Sequence, residues 1–384
     1  MFNKLVWNVA RCGILGILVV GCGSSAGNSG ETPKSEVAAK PTEAAAKPLV
    51  PLKLQLQWVA QSQFAGFYAA VAQGFYKDEG LDVKILEGAV DIVPQQVVAS
   101  GQADIAIASM PKCLSAREEG VPLINIGQHL DSSGSYMVSW ADSGITKIED
   151  YRGKKIGTWG YGNEYPLFAA MSNAGLDPKK DLTMIQQPFD MSLLLNREVD
   201  AAQAMSYNEY AQVLEAVNPK TGKLYQASDL TVISFDDVGT SMLEDGIYVT
   251  NTWLTKPGNE DVAERFLTAS FRGWVYCRDN FDACVGEVLK NGTTLGKSHM
   301  EWQLNLINQQ IWPSKRGIGM MSVDRYKQTV DIMVSSEMLK ARPDSGAYRT
   351  DLVSKANSKL QAAGVDIFGA NYKPQVVQLQ PGGE

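Results

Sequence analysis

The stretch LKLQLQWVAQSQFAGFYAAVAQGFYKDEGLDVKIL, residues 52–86, decides the fold. Apolar and polar residues alternate over 52–57 and again over 81–86, as they do in β-strands. Between these segments, residues 64–73 have the apolar spacing of a helix, and Gly74 is suited to end it. A strand, a helix and a second strand in this order predict a parallel pair of strands covered by a helix.

The same alternation of strand and helix continues along the chain and restarts after a glycine-bearing turn near residue 160. Further strands are predicted at residues 103–108, 123–126, 153–159, 182–187, 201–205, 231–235 and 247–250. From residue 261 onward the pattern is mainly helical. The sequence therefore predicts two α/β lobes, each with a mostly parallel sheet covered by helices.

Two crossings of the chain between these lobes, near residues 135–145 and 240–252, imply a central cleft that closes as two hinged bodies. The predicted boundaries are 51–138 and 248–365 for lobe 1, 139–247 for lobe 2 and 366–384 for a frayed tail rich in Gly, Pro and Gln. Ligands of open α/β sheets bind beyond the carboxyl ends of the strands. The residues that directly follow the strands are therefore the candidates for a binding site.

The first residues are typical of a bacterial export signal whose cysteine is lipidated. A short basic start leads into an apolar run at 13–20, and Gly21-Cys22 follow at once. The run is shorter than the ~20 apolar residues that span a bilayer. We expect a signal peptide at 1–21, acylation at Cys22 and a flexible tether at 22–50, which would hold the protein at the outer face of the cell membrane. An uncleaved anchor is the alternative.

Composition excludes some classes of function. The 384 residues carry a net charge of −7, and Lys and Arg do not cluster on the scale of a nucleic-acid surface, so nucleic acid is not an expected partner. The sequence has two histidines and no CxxC or HExxH motif, which argues against a metal site and against a Cys/His nucleophile.

Two cysteines, Cys277 and Cys284, lie seven residues apart. On one straight helix they would share a face at a distance too long for a bond. The intervening residues RDNFD indicate that one helix ends and another begins there. A local disulfide is then possible, and an oxidising compartment would permit it.

Residues 52 to about 350 resemble the bacterial solute-binding proteins that include binders of thiamine pyrimidine precursors, alkanesulfonates, nitrate and riboflavin. The matching motifs are FAGFY at 64–68, GFYKDEGLDV at 74–83, GQADI at 101–105 and YRGKKIG at 151–157. The resemblance implies a type II periplasmic-binding-protein fold. It also implies a non-catalytic monomer without a cofactor, which works with the permease and ATPase subunits of an ABC importer.

Aromatic and amide side chains follow strands in both lobes. Trp58 and Trp159 occupy corresponding turns, where two aromatic rings can clamp a flat heterocycle. Amides offer both a donor and an acceptor, as the uracil-like edge of a flavin requires. The predicted ligand is a small aromatic heterocycle, and its predicted contacts are Gln57, Trp58, Gln63, Phe64, Trp159, Asn163, Glu164, Tyr165, Tyr207 and Asn208. Asn163 and Glu164 also suit the start of the following helix, and that alternative stays open.

Riboflavin is the predicted ligand, because the motifs NEY at 163–165, QQPFDM at 186–191 and YNEY at 207–210 look most like those of riboflavin-binding lipoproteins. A thiamine pyrimidine precursor, of the formylaminopyrimidine or hydroxymethylpyrimidine type, is the alternative. Binders of such precursors resemble one another in an Asp-Trp pair after the first strand, with a histidine nearby. Here the pair is Gln57-Trp58, and no histidine lies in the loop. This departure weakens the aminopyrimidine interpretation, because a carboxylate suits an exocyclic amine better.

Other ligands and other classes of protein fit less well. A sulfonate or nitrate needs a basic residue or a helix N-terminus with hydroxyls, and the loop 58–66 has no basic residue. A eukaryotic relative of this fold is an enzyme that makes the thiamine pyrimidine from its own histidine with a cysteine-rich motif, and this chain has no cysteine cluster. An adhesin or signalling receptor on the same scaffold is a third class.

Overall fold

The computed structural model describes residues 48–292 and 296–384. The predicted signal peptide, the lipidated Cys22 and residues 22–47 of the predicted tether lie outside the described residues. Within the described ranges, no helix is both long enough and apolar enough to span a bilayer.

The strands of the described chain form two five-stranded sheets, one in each lobe. In chain order they are β1 Val50–Gln55, β2 Leu81–Leu86, β3 Ile105–Ser109, β4 Leu123–Gly127, β5 Ser135–Trp140, β6 Lys155–Thr158, β7 Thr183–Gln186, β8 Ala201–Met205, β9 Leu230–Ser234 and β10 Asp245–Thr250. The sheet orders are β2-β1-β3-β10-β4 in lobe 1 and β7-β6-β8-β5-β9 in lobe 2. Each sheet has one strand antiparallel to both of its neighbours, β10 in lobe 1 and β5 in lobe 2.

Helices cover both sheets, and the chain after β10 is mainly helical, as predicted. The helices are α1 Ala65–Ala72, α2 Phe75–Asp78, α3 Pro94–Ala99, α4 Met110–Glu118, α5 Tyr165–Asn173, α6 Ser192–Leu195, α7 Glu209–Leu214, α8 Asn251–Leu254, α9 Asn259–Asp279, α10 Phe281–Leu289, α11 Lys297–Ile311, α12 Val323–Ser335 and α13 Asp351–Ala362. The first predicted strand–helix–strand unit is confirmed, since β1 and β2 pair in parallel over their whole length.

The chain crosses between the lobes at residues 128–134 and 235–244, which connect the strands of the two sheets. The first predicted crossing, near 135–145, is therefore placed too late, because 135–140 form β5 inside the second sheet. The second, near 240–252, overlaps β10 for the same reason. The predicted lobe boundaries at 138/139 and 247/248 cut through these two strands. Both strands are almost wholly buried, so they lack the alternating pattern that marks a half-buried strand.

Helix α1 packs directly against α9 through two glycines. A Cβ atom on Gly66 would collide with the indole of Trp274, and one on Gly273 would collide with the carbonyl oxygen of Gly66. The two backbones approach this closely only because neither position has a side chain. The contact fixes α1, and with it the loop between β1 and α1, against the core of lobe 1.

The tail, residues 366–384, is held in place rather than frayed. The Gln375 N–H donates to Asn305 Oδ1 at 2.8 Å, and the Gln380 N–H donates to Ser298 Oγ at 3.0 Å, both on α11. The Gly382 N–H reaches lobe 2 and donates to the carbonyl oxygen of Glu215 at 3.0 Å. The prediction of a frayed tail came from its Gly, Pro and Gln content. The bonds that hold the tail are made by backbone N–H groups, and amino-acid composition does not reveal the partners of such groups.

The local disulfide is confirmed, because Cys277 and Cys284 are bonded. Helix α9 ends at Asp279 and α10 begins at Phe281. Asn280 between them has φ −130° and ψ 59°, which breaks the helix and brings the two Cα atoms to 5.0 Å. Both cysteines are fully buried in the core of lobe 1.

We expect reduction of this disulfide to lower the free energy of unfolding by about 2–3 kcal/mol, because the bond constrains a short loop of the unfolded chain. Calorimetric melting with and without a phosphine reductant measures the effect. The Cys277→Ala/Cys284→Ala double variant is the control and should not respond to the reductant. A wild-type melting temperature that stays unchanged after verified reduction would contradict the prediction.

Candidate functional site

A pocket lies between the two lobes. Lobe 1 contributes the loop after β1 and one residue of α4, and lobe 2 contributes the segments after β6 and β8. The lining residues are Gln57, Trp58, Gln61, Gln63 and Lys112 from lobe 1, with Trp159, Asn163, Met205, Tyr207, Asn208 and Glu209 from lobe 2. All except Lys112 lie at or after the carboxyl end of a strand, as the fold requires of a ligand site.

Seven of the ten predicted contact residues line this pocket, namely Gln57, Trp58, Gln63, Trp159, Asn163, Tyr207 and Asn208. Phe64 does not, because it is fully buried in the core of lobe 1. Glu164 instead holds its own turn, where its Oε2 accepts from the Gly162 N–H at 3.1 Å. The Tyr165 hydroxyl points to α4 and donates to Ser115 Oγ at 3.2 Å.

The two tryptophans do not form the predicted parallel clamp. The ring centroids of Trp58 and Trp159 are 6.2 Å apart, and the ring planes meet at 72°, so the rings contact each other edge to face. This arrangement leaves no gap between the two rings for a flat ligand. The indole N–H of Trp159 is buried and has no acceptor among the described residues, which leaves a donor for a ligand.

Asp245 is the main residue that the sequence analysis missed. It opens β10 and is fully buried, and the Gln63 amide donates to its Oδ2 at 2.8 Å while the Gln57 amide donates to its Oδ1. Burial raises the pKa of Asp245 to about 6, against the opposing effects of these two amides and of the nearby Lys112 ammonium. Its one signal in the sequence is an acidic residue at the head of an apolar strand.

Lys112 links the lobes across the pocket. Its Nζ donates to Asn163 Oδ1 at 3.0 Å, and burial lowers the pKa of Lys112 against the opposing attraction of Asp245. Glu209 is also buried, and its carboxylate accepts from the Met205 N–H at 2.9 Å and from the Asn208 amide at 2.7 Å. Burial raises the pKa of Glu209 to about 7.

Glu244 joins the two crossings. Its Oε1 accepts from the Ser133 hydroxyl and from the Gly134 N–H at 2.9 Å, both on the first crossing, whereas Glu244 itself ends the second. The Gln128 amide adds bonds to the carbonyl oxygens of Glu244 at 3.2 Å and Asp245 at 3.0 Å. Burial raises the pKa of Glu244 to about 8.

His299 connects the lobes on a second side of the cleft. Its Nδ1 lies 2.8 Å from Glu215 Oε2, and its Nε2 lies 2.9 Å from Asn208 Oδ1. The neighbouring Trp302 indole on α11 donates to the carbonyl oxygen of Ser206 at 3.1 Å. These contacts hold α11 against the segment of lobe 2 that carries the pocket residue Asn208.

The buried carboxyl of Glu244 should make the stability of the ligand-free protein depend on pH. The pKa of Glu244 is about 8 in the folded state and about 4.3 in an unfolded chain. Between these two pH values, the folded protein therefore binds more protons than the unfolded chain does. Stability contributed by this group is present below about pH 4 and is lost as the pH rises toward 8. Between pH 5 and pH 8, wild type should lose stability relative to Glu244→Gln by an amount on the order of a few kcal/mol.

Urea denaturation of both proteins at the two pH values measures this difference. Glu119→Gln, which changes an exposed carboxylate, is the matched control and should follow wild type. Parallel pH profiles for wild type and Glu244→Gln would show that Glu244 titrates alike in both states and would refute the prediction.

Three known proteins are related in sequence to parts of this chain. A Haemophilus influenzae protein named for thiamine biosynthesis is 26% identical over 151 residues, covering 39% of this chain and 48% of that protein. The formylaminopyrimidine-binding protein of Halalkalibacterium halodurans is 20% identical over 241 residues, or 62% and 70% of the two chains. The 4-amino-5-hydroxymethyl-2-methylpyrimidine phosphate synthase of Candida albicans is 24% identical over 223 residues, or 58% and 65%. The chain thus spans about half the length of the first relative and about two thirds of the others.

Solved structures resemble the whole described fold. The ligand-binding component of an ABC-type import system from Staphylococcus aureus has a TM-score of 0.58 at 10% identity, over 80% of this chain and 99% of that one. The periplasmic aliphatic sulphonate binding protein of Escherichia coli has a TM-score of 0.55 at 15% identity, over 85% of this chain and 94% of that one. A Candida albicans gene product with the generic periplasmic binding protein fold has a TM-score of 0.52 at 16% identity, over 86% of this chain and 99% of that one. The predicted type II periplasmic-binding-protein fold, with two α/β lobes, is confirmed.

The family follows from a match in the sequence itself. A family model described as NMT1/THI5 like matches residues 61–283. That range begins in the loop after β1, includes all of lobe 2 and extends into α10, so it covers more than half of the chain and most of the pocket. The chain belongs to the NMT1/THI5-like family.

Proposed function

We propose that this protein is a solute-binding protein for an aminopyrimidine, a precursor of the thiamine pyrimidine, and delivers it to an ABC importer. The observation that carries the proposal is the buried carboxyl of Asp245 in the cleft. The loop after β1 lacks the carboxylate that an exocyclic amine requires, and β10 supplies one beside Gln57, the residue that precedes Trp58.

The chemistry of Asp245 suits an aminopyrimidine. Such a ring presents an amine N–H next to a ring nitrogen, which is a donor beside an acceptor. A carboxyl group that holds a proton can accept from the amine and donate to the ring nitrogen, and a pKa near 6 makes the proton available near neutral pH. The amides of Gln57 and Gln63 orient the carboxyl for this contact.

The charge of the cleft also favours a neutral or cationic ligand over an anion. Lys112 is the one basic side chain among the residues that line the cleft, and Asp245, Glu209 and Glu244 surround it with carboxyl groups. A sulfonate or nitrate would find Lys112 as its one cationic partner there and would be repelled by each of these carboxyl groups that is ionised. The similarity to the sulphonate-binding structure therefore extends to the fold, and we do not carry its ligand over.

Riboflavin, the ligand predicted from the sequence, has less support than its alternative. Trp58 and Trp159 touch each other, so an isoalloxazine would first have to separate them. The three relatives described above are named for thiamine or its pyrimidine. The aminopyrimidine accounts for both the relatives' names and the buried Asp245.

The relative named as a synthase raises the possibility of an enzyme, and we propose binding without catalysis. The chain has two histidines, and neither lines the pocket. His129 lies in the core between Phe67 and Trp274, where burial lowers its pKa to about 3. His299 is held by Glu215 and Asn208. A histidine that supplies atoms of a product would have to contact the ligand, and neither His129 nor His299 lines the pocket.

Isothermal titration with 4-amino-5-hydroxymethyl-2-methylpyrimidine tests the ligand. Wild type should bind it, and Asp245→Asn should weaken binding by about 10- to 100-fold, since a buried polar group left without its hydrogen-bond partner costs about 1–3 kcal/mol. Asp82→Asn, which changes an exposed carboxylate on β2, should bind like wild type. Quenching of riboflavin fluorescence by the protein, without heat from the pyrimidine, would return the assignment to riboflavin.

We further propose that Cys22 is acylated, that the protein acts as a monomer at the outer face of the cell membrane and that its partners are the permease and ATPase subunits of an importer. Cys22→Ser should move the protein from the membrane fraction to the soluble fraction or leave it unprocessed. Fractionation of cells and the intact mass of the product measure this. A mature wild-type protein without lipid mass would contradict the proposal.

A further inference from the structure

A chain of hydrogen bonds leads from the pocket to a contact between the lobes. At its inner end, Glu209 lines the pocket, and its Oε1 accepts from the Asn208 amide at 2.7 Å. Asn208 Oδ1 lies 2.9 Å from His299 Nε2, and His299 Nδ1 lies 2.8 Å from Glu215 Oε2. The chain therefore joins α11 of lobe 1 to the segment 208–215 of lobe 2.

The partners of this chain fix where its protons lie. Both oxygens of Glu209 act as acceptors, from the Met205 N–H and from the Asn208 amide, so Asn208 turns its own oxygen toward His299. Each ring nitrogen of His299 then faces an acceptor oxygen. An imidazole binds a proton more tightly than a carboxylate does, so the proton between His299 and Glu215 belongs to the ring. The geometry is that of an imidazolium with two N–H donors.

We propose that His299 is a positioning residue of the pocket, which as an imidazolium donates to both Glu215 and Asn208 and so fixes Asn208 and Glu209 in the lobe 2 wall. A neutral ring has one N–H and would leave one of the two oxygens without a donor. The positioning is therefore complete while His299 carries both protons and weakens as rising pH removes one of them.

Carboxylates are the charged groups bonded into this chain. Lobe 2 contributes Glu215 next to His299 and Glu209 one link further on. The loop before α1 contributes the neutral Ser62 and Gln63, which bond to α11. The other charged groups on α10, α11 and the tail near this contact are exposed or paired with one another, namely Asp282, Glu287 with Lys290, Lys297 with Glu301, and Glu384. The charges within the chain favour the imidazolium.

The tail covers the contact between His299 and Glu215. The Gly382 N–H donates to the carbonyl oxygen of Glu215, and a Cβ atom on Gly383 would lie 2.9 Å from His299 Cβ and 3.0 Å from Glu215 Oε2. The side chain of His299 is 0% exposed and that of Glu215 is 7% exposed. Protons shielded in this way exchange slowly with water, so NMR should detect both ring N–H groups.

NMR with ¹⁵N-labelled histidine tests the proton state in protein without a histidine tag, because the chain has two histidines. His129 is the reference for a neutral ring, since burial lowers its pKa to about 3. At the acid end of a titration from pH 5 to pH 9, His299 should show N–H signals from both ring nitrogens. Glu215→Gln should move the loss of the second proton to lower pH, because it removes the neighbouring negative charge. Glu119→Gln is the control and should titrate like wild type. One ring N–H on His299 throughout would refute the proposal.

Affinity for 4-amino-5-hydroxymethyl-2-methylpyrimidine tests the positioning, and this measurement rests on the proposed function. His299→Gln supplies an amide that does not titrate and donates through one nitrogen. Where NMR shows the imidazolium, this variant should bind about three- to tenfold more weakly than wild type, as expected for one lost hydrogen bond. Where NMR shows the neutral ring, the two proteins should agree within about twofold. Glu209 and Asp245 titrate in both proteins, so the comparison isolates His299.

The outcomes separate this proposal from the proposed function. A ratio of affinities that stays constant with pH would mean that His299 has a purely structural role and would overturn the proposal. If wild type does not bind the pyrimidine, the proposed function falls, and the NMR titration still decides the role of His299. In that titration the ¹⁵N-labelled side-chain amide of Asn208 should shift in step with the His299 proton. A fixed Asn208 signal would refute the positioning, and this result needs no variant to fold.

Discussion

The burial of two adjacent carboxyl groups at the point where the chain returns to lobe 1 is the constraint on which the site depends. Asp245 and Glu244 would both be far easier to accommodate in water. Their partners come from elements far apart in the sequence: the Gln57 and Gln63 amides for Asp245, and the first crossing for Glu244. Groups kept at such a cost commonly serve function, because a core packed only for stability would use apolar residues there.

The topology explains why these groups meet. Each lobe inserts one antiparallel strand between parallel ones, and each inserted strand is the first that the chain enters after a crossing. The start of β10 therefore lies at the same edge of its sheet as the carboxyl ends of β1 and β3. A residue at the head of β10 reaches the cleft by the same rule that places residues after the parallel strands there.

Much of the fold follows from local patterns, and the exceptions have physical causes. The alternating strands and the glycine stops predicted both lobes, and the helix break between Cys277 and Cys284 made their bond possible. Strands β5 and β10 are almost wholly buried on both faces, so they lack the pattern of a half-buried strand, and the crossings were misplaced. At the site, positions after strands identified seven lining residues. They failed for Phe64, whose ring turns into the core, and missed Asp245, which opens β10, and Lys112, which lies on α4.

The close contact between Gly66 on α1 and Gly273 on α9 has a consequence for affinity. It fixes the neighbouring loop with Gln57, Trp58, Gln61 and Gln63, so this half of the pocket is ordered before any ligand arrives. Ordering loops and side chains upon association consumes part of the interaction free energy. Because these loop residues already rest on a packed core, less of that free energy is lost on the lobe 1 side of the pocket.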